Sequence, residues 1–291
     1  MIPAAFDYLA PRTLPEALEL LERHGSQAKL LAGGHSLLPM MKLRLATPAV
    51  IIDLDRVREL SYIREEAGHI VLGALTTHAE IEKSPLLAER APLLAETAAE
   101  IGDVQVRNRG TIGGSLAHAD PAADYPAALL AVEAEFTLTS RKGKRVIAAA
   151  DFFLDLMTTA LEPGEILTEI RFASDPGHTG SAYRKLHQPA SGFALVGVGA
   201  RIRLDPSGRC AAARVGITGV GPKPYRALGV ETELRGKEMD GGTLARAAAR
   251  AAQGVEPLSD LHASARYRAA MAEVYTRRAL TRAVDRARAA K

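Results

Sequence analysis

The order of elements written into this sequence predicts an α+β protein of two domains. Three observations carry that prediction: short apolar strands that stop at paired glycines in the first half, an apolar-free Asp-Pro-Gly tract near residue 175, and a helical C-terminal stretch that follows two long strands. At 291 residues, with 47% hydrophobic and 24% charged residues, the chain has the make-up of an ordinary globular protein.

The elements follow in order. Leu14, Ala17, Leu18 and Leu21 recur at helical spacing, and Gly25 stands where a C-terminal cap belongs, so 14–24 is a helix. Lys29 to Ala32 is a short strand ending at Gly33-Gly34, and Ala49 to Leu54 is a strand after Pro48. Tyr62 to Arg64 and His69 to Gly73 are strands joined by a polar turn, and Thr77 to Glu82 starts a helix. Pro92 to Ile101 is helical, Asp103 to Arg109 is a polar stretch before the second glycine pair, and Asp124 to Val132 is an Ala-rich helix with Pro126 in its first turn. Glu135 to Thr139 and Arg145 to Ile147 make a hairpin, and Glu165 to Phe172 alternates with the period of a strand. Ser174 to Gly180 is the expected linker. Beyond it, Ala194 to Leu204 and Ala212 to Gly219 are strands of a second sheet, and the last fifty residues are helical in composition.

Composition excludes several function classes. A net charge of +3 is small for this length, and 4% aromatics without Trp provide no base-stacking surface, so nucleic acid is not the expected partner. From Gly241 onward ten Lys or Arg face four Asp or Glu, which reads as a solvated helical face or a docking face for a partner subunit. One cysteine, Cys210, rules out a disulfide framework or an all-cysteine cluster built by this chain alone, and it reads as a small strand residue. The first residues have neither a charged n-region nor an apolar h-region, and no apolar run approaches the roughly 20 residues of a membrane span, so a cytoplasmic location is expected.

The chemistry points to the glycine pairs. Backbone N–H groups that converge on phosphate oxygens hold a diphosphate best, and glycine lets the chain approach without a Cβ clash. Gly34-His35-Ser36 and Gly114-Ser115 are both read as presenting N–H donors and a hydroxyl to one anionic ligand. Neither has the three spaced glycines of a Rossmann fingerprint or the lysine of a P-loop, so a nicotinamide site and an ATPase are disfavoured. His35 and His118 lack a third ligand at fixed spacing, so no metal is expected. A lone Gly-Gly more often marks a plain turn, and spacing alone does not name the ligand.

The segments Leu31-Ala32-Gly33-Gly34-His35-Ser36-Leu37-Leu38-Pro39-Met40-Met41-Lys42 and Gln105-Val106-Arg107-Asn108-Arg109-Gly110-Thr111-Ile112-Gly113-Gly114-Ser115-Leu116-Ala117-His118-Ala119-Asp120-Pro121 closely resemble the flavoprotein subunits of the xanthine dehydrogenase and carbon monoxide dehydrogenase family, the molybdenum hydroxylases. The tract Tyr183 to Ala194 resembles the entry to that family's last domain. The resemblance spans the whole chain. It implies a two-subdomain FAD-binding domain of the PCMH-type, vanillyl-alcohol-oxidase-like fold over 1–176, with subdomains of about 1–54 and 55–176. A smaller C-terminal domain of antiparallel sheet plus helices would cover 177–291.

The resemblance also implies an FAD-binding electron-transfer subunit without catalytic residues of its own. Its expected partners are an iron–sulfur small subunit with [2Fe-2S] clusters and a large subunit with the molybdopterin cofactor, together a dimer of heterotrimers. Ala32, Gly33, Gly34, His35, Ser36 and Leu37, with Thr111, Ile112, Gly113, Gly114 and Ser115, would wrap the FAD diphosphate and ribityl chain. Asp124 matches an acid that hydrogen-bonds the cofactor, its other reading being a helix cap. Ile101, Ile166 and Leu167 match apolar positions packing on the flavin or adenine rings, and otherwise read as core. Lys185 matches a lysine near the flavin, and otherwise reads as a surface residue. Phe193 is expected to shield one flavin face or to pack in the core. The competing function is a stand-alone FAD-dependent oxidase or reductase.

Overall fold

The computed structural model describes residues 2–290. A first layer holds β1 (Asp7–Leu9), α1 (Leu14–His24), β2 (Ala28–Leu31), α2 (Leu37–Lys42) and β3 (Val50–Asp53). The strands form a parallel sheet in the order β1-β3-β2. Helix α1 is fixed at both ends by the expected signals: the Thr13 hydroxyl accepts from the Glu16 N–H, and Gly25 leaves the helix at φ +51°. Its Ala17, Leu18 and Leu21 bury against Val50, Ile52 and Leu54, and Ile166 from far along the chain joins this core.

The middle unit contains β4 (Ile63–Glu66), β5 (His69–Gly73), α3 (His78–Glu82), α4 (Pro85–Arg90), α5 (Pro92–Ala99), α6 (Val104–Arg109), α7 (Ile112–His118), α8 (Tyr125–Ala131), β6 (Glu135–Ser140), β7 (Gly143–Ala148), α9 (Ala149–Phe152), β8 (Phe153–Asp155), β9 (Thr158–Thr159) and β10 (Ile166–Ala173). Strands β4, β5, β10, β6 and β7 lie in that order as an antiparallel sheet. Their core centres on Phe136, which meets Phe152 edge-on with ring centroids 5.0 Å apart.

Two expectations are corrected here. The polar stretch 103–109 is largely helix α6, because Asp103 accepts from the Val106 N–H at 2.8 Å and starts it. The second glycine pair sits inside the first turn of α7 rather than in a loop.

The third unit holds β11 (Thr179–His187), β12 (Ala194–Leu204), β13 (Cys210–Thr218), β14 (Tyr225–Arg226), α10 (Leu228–Leu234), α11 (Gly241–Ala248) and α12 (Ala265–Ala289). The four strands pair antiparallel in sequence order. Thr179 and Gly180, expected in the linker, already pair with β12 and are buried under α12. Nor is the basic C-terminal stretch simply solvated. Ala272, Ala279, Leu280, Ala283 and Ala287 of α12 are buried, and Arg268 points inward to donate to the carbonyls of Leu195 and Gly219 at 2.9 and 2.7 Å. Arg277, Arg278 and Arg282 keep the outer face. Among the described residues no helix is long and apolar enough to cross a membrane.

Helix α8 joins the middle and third units. It lies directly on β12 and β13, where Gly199 and Gly216 clear its backbone: a Cβ at Gly216 would fall on the Ala127 carbonyl.

Candidate functional site

A cavity of about 760 Å³ opens between the first layer and the middle unit, within the range of cofactor sites. Its wall takes in every residue expected from the sequence except Ile112 and Lys185. Ile112 points away into the middle core and is fully buried.

The two glycine segments touch. A Cβ on Gly33 would fall on the Arg109 carbonyl, and one on Gly114 would come within 3.6 Å of the Ala32 Cβ. Gly34 holds φ at +78°, which turns the chain from β2 into α2. Along this turn the backbone N–H groups of Gly33, Gly34, His35 and Ser36 have no acceptor among the described residues, and neither does the Ser36 hydroxyl. The His35 ring folds back, its Nδ1 3.0 Å from the Gly33 carbonyl. Four unpartnered amides in one tight turn are donors that an anionic ligand could use.

The second segment differs from the expectation of equal roles. Its N–H groups are already used: Ile112 donates to Thr76 O at 3.0 Å, Gly113 to Ala74 O at 2.8 Å, Gly114 to the Thr111 hydroxyl at 3.2 Å and Ser115 to Thr111 O at 3.0 Å. What Gly113 and Gly114 contribute is closeness. A Cβ on Gly113 would stand 2.5 Å from the Ala74 Cβ, so glycine lets α7 press against the end of β5 while its first turn faces the cavity.

Asp124 stands at the start of α8 but caps nothing, which corrects the helix-cap reading. Its carboxylate takes the Tyr183 hydroxyl on Oδ1 at 2.6 Å and the Lys185 ammonium on Oδ2 at 2.9 Å. The same ammonium donates to the Glu100 carbonyl at 2.8 Å. Lys185 is therefore buried, not a surface residue, and it stands behind Asp124 rather than on the cavity wall. Burial raises the Asp124 carboxyl above its ordinary value, and the Lys185 charge and both hydrogen bonds offset only part of that rise.

Ile101, Ile166 and Leu167 provide apolar wall, while Phe193 is 46% exposed at the rim, so its core reading fails. Sequence reasoning missed two features. The loop Leu161 to Glu165 lines the cavity and is tied down by Arg145, which meets both Glu165 carboxylate oxygens at 2.7 Å and the Ala160 carbonyl at 2.6 Å. The Pro163-Gly164 turn was its only local signal. His78 also lines the cavity, buried beside Tyr125 with ring centroids 5.2 Å apart. Desolvation, helped by His35 and Arg107, lowers its pKa to about 4, so the ring is neutral near pH 7.

Comparison with known proteins places this geometry. Residues 4–173 match the family described as the FAD binding domain in molybdopterin dehydrogenase, and residues 181–283 match the CO dehydrogenase flavoprotein C-terminal domain. The chain is 45% identical over 283 residues to the carbon monoxide dehydrogenase medium chain of Hydrogenophaga pseudoflava, covering 97% of this chain and 98% of that one. It is 36% identical to the glyceraldehyde dehydrogenase medium chain of Sulfolobus acidocaldarius, over 96% of this chain and 98% of the other. Among solved structures, carbon monoxide dehydrogenase from Hydrogenophaga pseudoflava superposes with a TM-score of 0.95 at 45% identity, covering 98% of this chain and 99% of that one. Quinoline 2-oxidoreductase from Pseudomonas putida 86 gives 0.92 at 35% identity, with 99% of each chain covered. The chain thus belongs to the FAD-binding medium subunits of the molybdenum hydroxylases, the family of the carbon monoxide dehydrogenase medium chain.

Proposed function

We propose that this chain is the electron-transfer flavoprotein subunit of a heterotrimeric molybdenum hydroxylase, passing electrons from the iron–sulfur clusters of a partner subunit to an external acceptor. The observation that carries the reading is the row of unpartnered amides at Gly33, Gly34, His35 and Ser36 on the wall of a cavity of dinucleotide size. These residues fit FAD. The amides and the Ser36 hydroxyl would hold the diphosphate, and Gly114 and Ser115 would let the ligand approach α7 closely. Ile101, Ile166 and Leu167 would pack on its rings, Phe193 would cover the rim, and Asp124 would accept a hydrogen bond from it. FAD, when bound, supplies the capacity to take up and release electrons; the protein orients it and excludes water.

The same reading puts the complex in the cytoplasm as a dimer of heterotrimers, with a partner chain holding the molybdopterin cofactor, and sets the domain boundary between 176 and 177. Relatives named for carbon monoxide, glyceraldehyde and quinoline share this architecture at 35–45% identity, so the hydroxylated substrate is chosen in the partner chain. The test is FAD uptake by the full chain, alone and co-expressed with its partner subunits. One FAD per chain is expected, lost in Gly34→Val, whose β-branched side chain cannot hold φ +78° without strain. A wild-type chain that stays colourless in both settings overturns the reading. Turnover of a small donor by the isolated chain would favour a stand-alone oxidase instead.

A further inference from the structure

Tyr183 belongs to β11 of the third unit, yet its ring is buried in the core of the middle unit. Room for the hydroxyl is made by Gly197 on β12, where a Cβ would collide with it. The strand is pinned beside it: the Tyr183 N–H donates to Glu96 on α5 at 3.2 Å, and Glu96 also pairs with Arg286 of α12. Two residues on, Lys185 reaches the other oxygen of the same Asp124 carboxylate. A carboxylate has about four lone-pair sites, so after these two bonds it can still accept from the cavity side.

We propose that Tyr183 is a positioning residue for the cofactor cavity: with Lys185 it clamps Asp124 from the third unit and aims the free carboxylate edge at a hydroxyl or ring N–H of the bound dinucleotide. The inference rests on reading the cavity as the FAD site. It makes the third unit a builder of the cofactor wall, through a residue that does not itself line it. The charged and titratable groups around Asp124 are Lys185, Tyr183 and His187 from β11, Glu96 and Glu100 from α5 and its C-terminal end, and Tyr125 from α8.

The experiment is FAD affinity of the full chain between pH 5 and 8 for wild type, Tyr183→Phe, Asp124→Asn and the double variant. Removing the Tyr183 hydroxyl takes away a donor that favours the carboxylate, so its proton affinity rises. Binding should weaken about ten-fold near pH 7, the scale of one hydrogen bond to a charged group, and the acid fall-off should move to higher pH. In Asp124→Asn the acid fall-off should vanish, and adding Tyr183→Phe should then cost little, because the bond it removes is to the carboxylate. A Tyr183 that only supports the fold would cost the same affinity in both backgrounds. That result, or a Tyr183→Phe profile parallel to wild type, overturns the proposal, as does an acid fall-off that survives in Asp124→Asn. If Tyr183→Phe does not fold, Lys185→Gln, which removes the other arm of the clamp, should move the acid fall-off the same way, and a profile parallel to wild type overturns the proposal. A wild type that binds no FAD would instead remove the functional reading beneath it.

Discussion

His78 shows at the scale of one residue how the cavity couples to acid stability. Its ring is 5% exposed, its Nδ1 has no partner among the described residues, and its pKa falls from 6.5 to about 4 because burial penalises the charged form. Between those two values the unfolded chain binds a proton at this position that the folded chain does not, so folding stability falls as pH drops from 6.5 towards 4. The shift corresponds to about 3 kcal/mol across the window. His78→Leu, which fills similar space without a titrating group, should show a shallower pH slope in denaturant unfolding and lose about that much less stability across the window. Equal slopes for the two proteins would show that His78 titrates normally. Asp124 and Lys185 carry a related lesson about legibility. Their types and places in the chain suggested the site, but that they neutralise each other depends on a 2.9 Å contact across 61 residues of chain, which no local pattern encodes.

Among the elements, those whose burial is decided by one periodic face were legible. Helix α1 falls where hydropathy puts it for that reason, with one apolar side against a single layer; strand β12, covered by both α8 and α12, was legible instead as a continuous apolar run. Helix α7 was not, because two glycines in a helix each cost about 1 kcal/mol against alanine and so read as a loop. The fold keeps them because Ala74 leaves no space for a side chain at Gly113 and the Thr111 hydroxyl crowds one at Gly114. The turn at 161–165 was illegible for another reason. Its place on the cavity wall comes from Arg145, a residue on the neighbouring hairpin. The Arg145 hydrogen bonds also hold the Glu165 carboxyl below its usual range. Arg145→Met should therefore loosen this wall and weaken FAD binding, by less than about ten-fold because the pair is partly solvated. The thermal midpoint of the FAD-free chain should hardly move. Unchanged FAD affinity would mean that the turn holds its place without the arginine.

Across the whole molecule, the middle and third units are joined less by a broad apolar face than by helix α8 and a set of polar ties. Gly199 and Gly216 let α8 sit backbone-close on β12 and β13, and Ala127 and Ala128 are small enough to complete the fit. Around that seat Glu133 meets Arg214 at 2.7 Å and Arg226 at 3.1 Å, Asp124 meets Lys185, and Glu96 meets Arg286. The Glu133 and Glu96 pairs are partly solvated and contribute little one by one, and the buried Asp124–Lys185 pair loses much of its attraction to desolvation, so the close helix seat should carry most of the coupling. Gly216→Ala tests this. The added methyl would fall on the Ala127 carbonyl, a backbone atom that cannot step aside, and overpacking of this kind costs about 1–3 kcal/mol. Because that cost falls on the junction and leaves the three cores intact, calorimetric unfolding should change from one transition to two, and proteolysis should speed up at 174–178, where the chain passes between the units. FAD should be lost in parallel, since lifting β13 from α8 carries β12 and β11 with it and draws Tyr183 and Lys185 away from Asp124. A Gly216→Ala protein that melts in one transition at a lower temperature with its FAD affinity intact would show that the units communicate by another route.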